Sequence, residues 1–153
     1  DYQVFTCSAL RFAKELILGE KEWNKVGDLL WVEATVPKYW DTYSIHALEP
    51  ILMQCKNRGR FLDVKTVNRN GVREAMLIWE NMTAYIRCMG ILPFPIDFIY
   101  QGTKGSVKLK FHNAFDCFKN ALEAFLMQIQ KKKTLIPMDE TKELVSIIES
   151  GRI

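Results

Sequence analysis

The sequence predicts an α+β fold, a mostly antiparallel sheet of about four strands packed by helices, as a single domain over residues 1–153. Two observations point there. Leu30, Val32, Ala34 and Val36 fall on one face of an extended segment that Pro37 ends. A second alternation, Val107, Leu109 and Phe111, follows the turn signal Gly102-Thr103-Lys104-Gly105. Elsewhere, apolar residues recur at helical spacing. A hydrophobic content of 48% with 25% charged residues is enough for a real core and excludes disorder over the whole chain.

Taken in order, Cys7 to Leu18 reads as a short helix, with Leu10, Ala13, Leu16 and Ile17 inward and Gly19 as its stop. Lys21 to Gly27 reads as a polar connector. After the strand over Leu30–Val36, Asp41 or Thr42 caps a helix through Cys55, with Ile45, Leu48, Leu52 and Cys55 inward. Pro50 inside it predicts a kink or a split. Asn57-Arg58-Gly59 is a turn signal, and Phe61 to Val67 a second strand.

Val72, Ala75, Met76, Trp79, Met82, Ile86 and Met89 form an apolar stripe that predicts a long helix from Val72 to Met89. Gly90 stops it, and Pro93 and Pro95 turn the chain. Pro95 to Gln101 and Ser106 to Phe111 form a hairpin. Asn113 caps a helix from Ala114 to Gln130, with Phe115, Phe118, Leu122, Phe125 and Ile129 inward, before Lys131-Lys132-Lys133. Pro137 and Asp139 open a last short helix with Leu144, Val145 and Ile148.

No apolar run reaches the roughly 18 residues of a membrane span, and no secretory leader opens the chain. The start at Asp1 suits a fragment or an ordered core. Cys7, Cys55, Cys88 and Cys117 are widely spaced, so buried free thiols fit better than a zinc site or a disulfide scaffold.

Candidate chemistry is thin. Asp63-Val64-Lys65 has the spacing of a metal-dependent nuclease pair, with His46 and Glu49 as further ligands, but a solvated strand face explains it better. Cys117 near His112 suggests a nucleophile pair, against a plain core cysteine. Phe98, Tyr100 and Phe111 would stack on bases in an RNA-binding sheet, yet the aromatic signature of that fold is missing. Asn81-Met82-Thr83 matches a glycosylation sequon by chance. We therefore expect no catalytic residue, no metal and no cofactor.

The net charge of +3 is too small to prove a nucleic-acid partner, so an anionic partner must meet a local patch. Arg58, Arg60, Arg69, Lys104 and Lys108 are the candidates for such a surface, whether of lipid headgroups or of RNA. Trp31, Tyr39 and Trp40, aromatics near a strand end, are candidate protein contacts.

The segment Phe61 to Gly102, with Trp79-Glu80-x-Met82, Tyr85-Ile86, Gly90, Pro93-Phe94 and Phe98, resembles the matrix proteins of rhabdoviruses. The match covers roughly a quarter of the chain and needs one small gap; no budding motif and no lysine-rich N-terminal tail accompany it. The resemblance implies a non-enzymatic structural protein in the inner layer of a virion and at the membrane periphery of the host cytoplasm. Its partners would be itself as a homo-oligomer, the nucleocapsid and an anionic membrane surface, with RNA as a further one. An RNA-binding or adaptor domain is the alternative.

Overall fold

A computed structural model gives the fold and describes residues 8–152. Two short 3-10 turns, Ala9–Phe12 and Lys14–Leu16, open it where a continuous helix was expected. Residues before Ser8, Cys7 among them, lie outside the described part. The expected polar connector is a helix, α1 (Glu20–Val26), started at Gly19, whose amide donates to the Glu22 carboxylate at 3.0 Å. Then follow β1 (Leu29–Val36), α2 (Trp40–Gln54), β2 (Phe61–Arg69), β3 (Val72–Trp79), β4 (Thr83–Cys88), β5 (Asp97–Gly102), β6 (Ser106–Lys110), α3 (Ala114–Lys131) and α4 (Met138–Ser150).

The α+β class holds, and the sheet is larger and more mixed than expected. It has six strands in the order β2-β3-β4-β1-β5-β6. Of its pairings, β1–β4 is parallel and the others are antiparallel. The parallel pair with α2 between its strands is a Rossmann-like β-α-β crossover, into which the β2–β3 hairpin is inserted.

The main correction lies at Val72–Met89, which is no helix. Ala75, Leu77 and Trp79 alternate inward on β3, and Ala84, Ile86 and Cys88 do so on β4. Both periods fit these residues, so length and stripe alone do not decide between them. Asn70-Gly71 does decide. Both residues have positive φ, 51° and 79°, as the tight two-residue turn of a β2–β3 hairpin requires.

α1, α2 and α4 pack on the sheet, whereas α3 packs on the first 3-10 turn. Val32, Ala34 and Val36 of β1 meet Leu48, Ile51 and Leu52 of α2 in the core. Phe98 and Tyr100 of β5 lie fully inside, so they are core aromatics and not a base-stacking platform. Leu30, expected inward, is exposed, because the β1–β5 register shifts between Leu29 and Trp31. Pro50 does not split α2 in two; the helix runs through it. α3 keeps its expected cap, with the Asn113 side chain accepting from the Asp116 amide. Its apolar stripe, however, points outward: Phe115 is 78% and Phe118 64% exposed, and only Cys117 is buried. α4 buries Leu144 and Ile147 and leaves Val145 outside. No helix among the described residues is long and apolar enough to cross a membrane.

Candidate functional site

In open α/β sheets, ligands settle beyond the carboxyl ends of parallel strands. Here that place is the end of β1 and β4, where Val36 pairs with Cys88. Just past it, Lys38 and Gly90 exchange both backbone hydrogen bonds, at 2.9 and 2.8 Å. Gly90 must be glycine: its φ is 62°, and a Cβ would sit 2.6 Å from the Gly71 carbonyl oxygen. Lys38 also holds a left-handed backbone, φ 61°, at a cost of order 1 kcal/mol for a side-chain-bearing residue.

α2 starts two residues later and carries the side chains that face this end. The Lys38 ammonium lies 4.6 Å from the centre of the Tyr43 ring. Tyr43 meets the His46 imidazole edge-on, ring centres 4.8 Å apart. On its other side, His46 Nδ1 is 2.7 Å from Ser8 Oγ, which also accepts from the Leu10 amide. Burial, and then the Lys38 charge, push the His46 pKa below its ordinary value, which favours the neutral ring.

A buried ion cluster holds this arrangement from behind. One helical turn after His46, the Glu49 carboxylate takes a bond of 3.0 Å from Arg11 Nη1. The same guanidinium nitrogen also binds Glu140 of α4, which Lys56 meets at 2.6 Å. Burial raises the pKa of Glu49, whereas Arg11 and Lys56 together hold that of Glu140 below the usual range. The cluster thus ties the first turns, α2 and α4 together, and sets the angle at which α2 presents His46. Pro50 adds a local feature, since it has no N–H for the His46 carbonyl.

A cleft of about 420 Å³ lies at the opposite end, near Leu29, Gln54 and Asn81. Its cations are already engaged. Arg58 makes paired bonds of 3.1 and 2.6 Å to Glu143, and Lys56 serves Glu140. At the His46 end, by contrast, Lys38 makes no ion pair among the described residues.

The residues expected to act fall elsewhere. Trp40 is only 2% exposed and donates from Nε1 to the Ile148 carbonyl, so it anchors α4 and offers no surface to a partner. Trp31 and Tyr39 are exposed, Trp31 on the uncovered sheet face and Tyr39 at the start of α2. Arg58 is buried against Glu143 and two backbone carbonyls. Arg60 pairs with Glu80. Arg69 ends β2, at one edge of the sheet, while Lys104 and Lys108 belong to the β5–β6 hairpin at the other edge. Five strand spacings, roughly 24 Å, separate those edges, so these cations form no single patch.

Asp63 and Lys65 sit exposed on edge strand β2, and Asp63 accepts from the Val64 amide. Glu49 is bound to Arg11 and does not join His46 as a ligand. Among the described residues, no three His, Cys, Asp or Glu side chains gather as metal ligands. Cys117 donates to the Ala9 carbonyl and its pKa is pushed up to about 11, which removes it as a nucleophile beside the exposed His112. Cys55 and Cys88 are buried thiols pushed up to about 12.

No protein-family model matches the sequence, and no curated protein is similar to it. Solved structures do share the fold. GenD2 from gentamicin A biosynthesis, in complex with NAD, superposes with a TM-score of 0.70 at 7% identity, over 93% of this chain and 58% of that one. A myo-inositol dehydrogenase from Corynebacterium glutamicum gives 0.67 at 14% identity, over 94% and 58%. The scyllo-inositol dehydrogenase of Lactobacillus casei gives 0.63 at 15% identity, over 93% and 57%. The chain thus spans under two thirds of the length of these structures.

These findings overturn the resemblance to rhabdovirus matrix proteins. The segment that carried it, Phe61 to Gly102, is four strands and not strand, helix, strand. The fold is shared with structures named as inositol dehydrogenases. The expectations of a virion structural role, of a non-enzymatic protein and of a place in a viral inner layer fall with it.

Proposed function

We propose that this chain is the substrate-binding portion of an oxidoreductase acting on a hydroxyl-bearing small molecule, and that His46 contacts the hydroxyl and exchanges its proton. The observation that carries the reading is the His46 imidazole on α2, hydrogen-bonded to Ser8 and linked through the Tyr43 ring to Lys38, which lies just past the carboxyl end of β1. A base whose pKa lies somewhat below the working pH is free to accept a proton. Ser8 Oγ supports either tautomer: it can donate to Nδ1, or accept from Nδ1–H and leave Nε2 as the acceptor. The dehydrogenase fold favours alcohol or carbonyl chemistry, and the two inositol dehydrogenases suggest a polyhydroxylated substrate.

A nicotinamide dinucleotide does not fit the residues present. Its site needs a glycine-rich turn between a strand and the helix that receives the pyrophosphate. The β1-to-α2 turn here is Pro37-Lys38-Tyr39. The redox step therefore lies outside what these residues supply, and their part is to bind, orient and handle a proton.

NMR of the imidazole resonances tests this, because the chain has only two histidines and the exposed His112 serves as an internal control. His46 should titrate with a midpoint below the ordinary 6.5, and added myo-inositol should move its signals and leave those of His112 in place. The sign for stability follows. Folded His46 binds its proton less readily than the unfolded chain does, so stability rises with pH between the folded value and 6.5, and is lost as pH falls through that window. A midpoint at or above 6.5, or equal shifts at both histidines, refutes the assignment.

A further inference from the structure

We propose that Lys38 makes the His46 site selective for a hydroxy acid, its ammonium taking the substrate's carboxylate while His46 meets the hydroxyl. The inference rests on the reading of His46 given above and names the substrate class of that same site.

Three observations lead to it. First, Lys38 has no carboxylate partner among the described residues, so its charge is open to an incoming anion. Its recorded contact is the face of Tyr43, which steadies a cation without neutralising it.

Second, the position is costly for a lysine. A left-handed φ of 61° favours glycine or asparagine, and the reciprocal bonds to Gly90 hold the backbone there. Held in this way, the side chain leaves the end of β1 from a fixed point beside Tyr43.

Third, ammonium and imidazole share one aromatic ring, the Lys38 Nζ 4.6 Å and the His46 ring centre 4.8 Å from its centre, so cation and imidazole are neighbours across a single side chain. The two acids of α2 itself are committed elsewhere: Asp41 pairs with Arg152, and Glu49 with Arg11. An incoming carboxylate therefore meets an unopposed positive charge beside a neutral histidine.

The test compares gluconate with glucitol, which share a carbon skeleton and differ in the carboxylate. Binding to the 153-residue chain is followed by the His46 imidazole signals, with circular dichroism to confirm folding. Gluconate should bind at least tenfold more tightly than glucitol. Lys38→Gln should bring the ratio near one, and Lys38→Arg should restore the preference. Equal affinities in the unsubstituted chain overturn the selectivity and leave the assignment of His46 standing. A preference that survives Lys38→Gln overturns the role of Lys38. If neither compound, nor myo-inositol, moves the His46 signals, the functional reading fails and the selectivity with it.

Discussion

α2 and α3 are opposites. α3 has every local mark of a helix: an Asn113 cap, a left-handed Lys132 at its end and a clean apolar stripe. α2 has no side-chain cap and contains a proline, and its first turns hold Trp40, Thr42 and Tyr43, which are poor helix formers. Yet α2 is enclosed by β1, β4, α4 and the first turns, while α3 leaves Phe115, Phe118, Leu122 and Ile129 in solvent. Local pattern specifies that a helix forms; what covers the helix is decided by the rest of the chain. The helix with the weaker local signal is the one that carries the candidate site.

Substitutions can break or sharpen this contrast. Arg11→Ala should be the most damaging, because it leaves the buried Glu49 carboxylate without its partner and Glu140 held by Lys56 alone. Breaking a buried pair in this way costs about 3–5 kcal/mol, which urea unfolding would measure. A loss under 1 kcal/mol would mean the cluster does not clamp the helix.

Leu48→Ala removes a fully buried side chain from α2 and should cost about 2–5 kcal/mol in the same measurement. On α3, Phe118→Ser should change stability by no more than about 0.5 kcal/mol, despite deleting a larger apolar group. Equal losses from Leu48→Ala and Phe118→Ser would erase the distinction between the two helices.

The same contrast explains what was legible in the sequence. β1, the β5–β6 hairpin and the limits of α3 and α4 follow from alternation, a glycine turn and caps, all of which are local. β3 and β4 were hidden because Ala75, Trp79 and Ile86 satisfy helical and strand spacing alike. Asn70-Gly71 was the signal that would have separated them. The burial of α3 was misjudged because an apolar stripe does not say whether its cover belongs to the same chain. The site was harder still. His46 drew attention as a metal ligand, but its partner Ser8 lies 38 residues away. Lys38 stands out only once its backbone conformation and its neighbour Gly90 are known. The spacing of Ser8 to Arg11 and of His46 to Glu49, one turn each, was the faint hint that two short faces meet.

The position of β1 has a kinetic consequence. β2, β3 and β4 are consecutive and joined by tight turns, so their pairing closes only short loops. β1 reaches β4 across the whole of α2 and the β2–β3 hairpin, a closure with a larger entropic cost. Pulse-labelled hydrogen exchange during refolding should protect β3 and β4 amides before those of β1, and the reverse order would contradict it. Lys38 and Gly90 meet at that late seam, so the mouth of the site is assembled at the end of folding, when the chain has already committed everything beneath it.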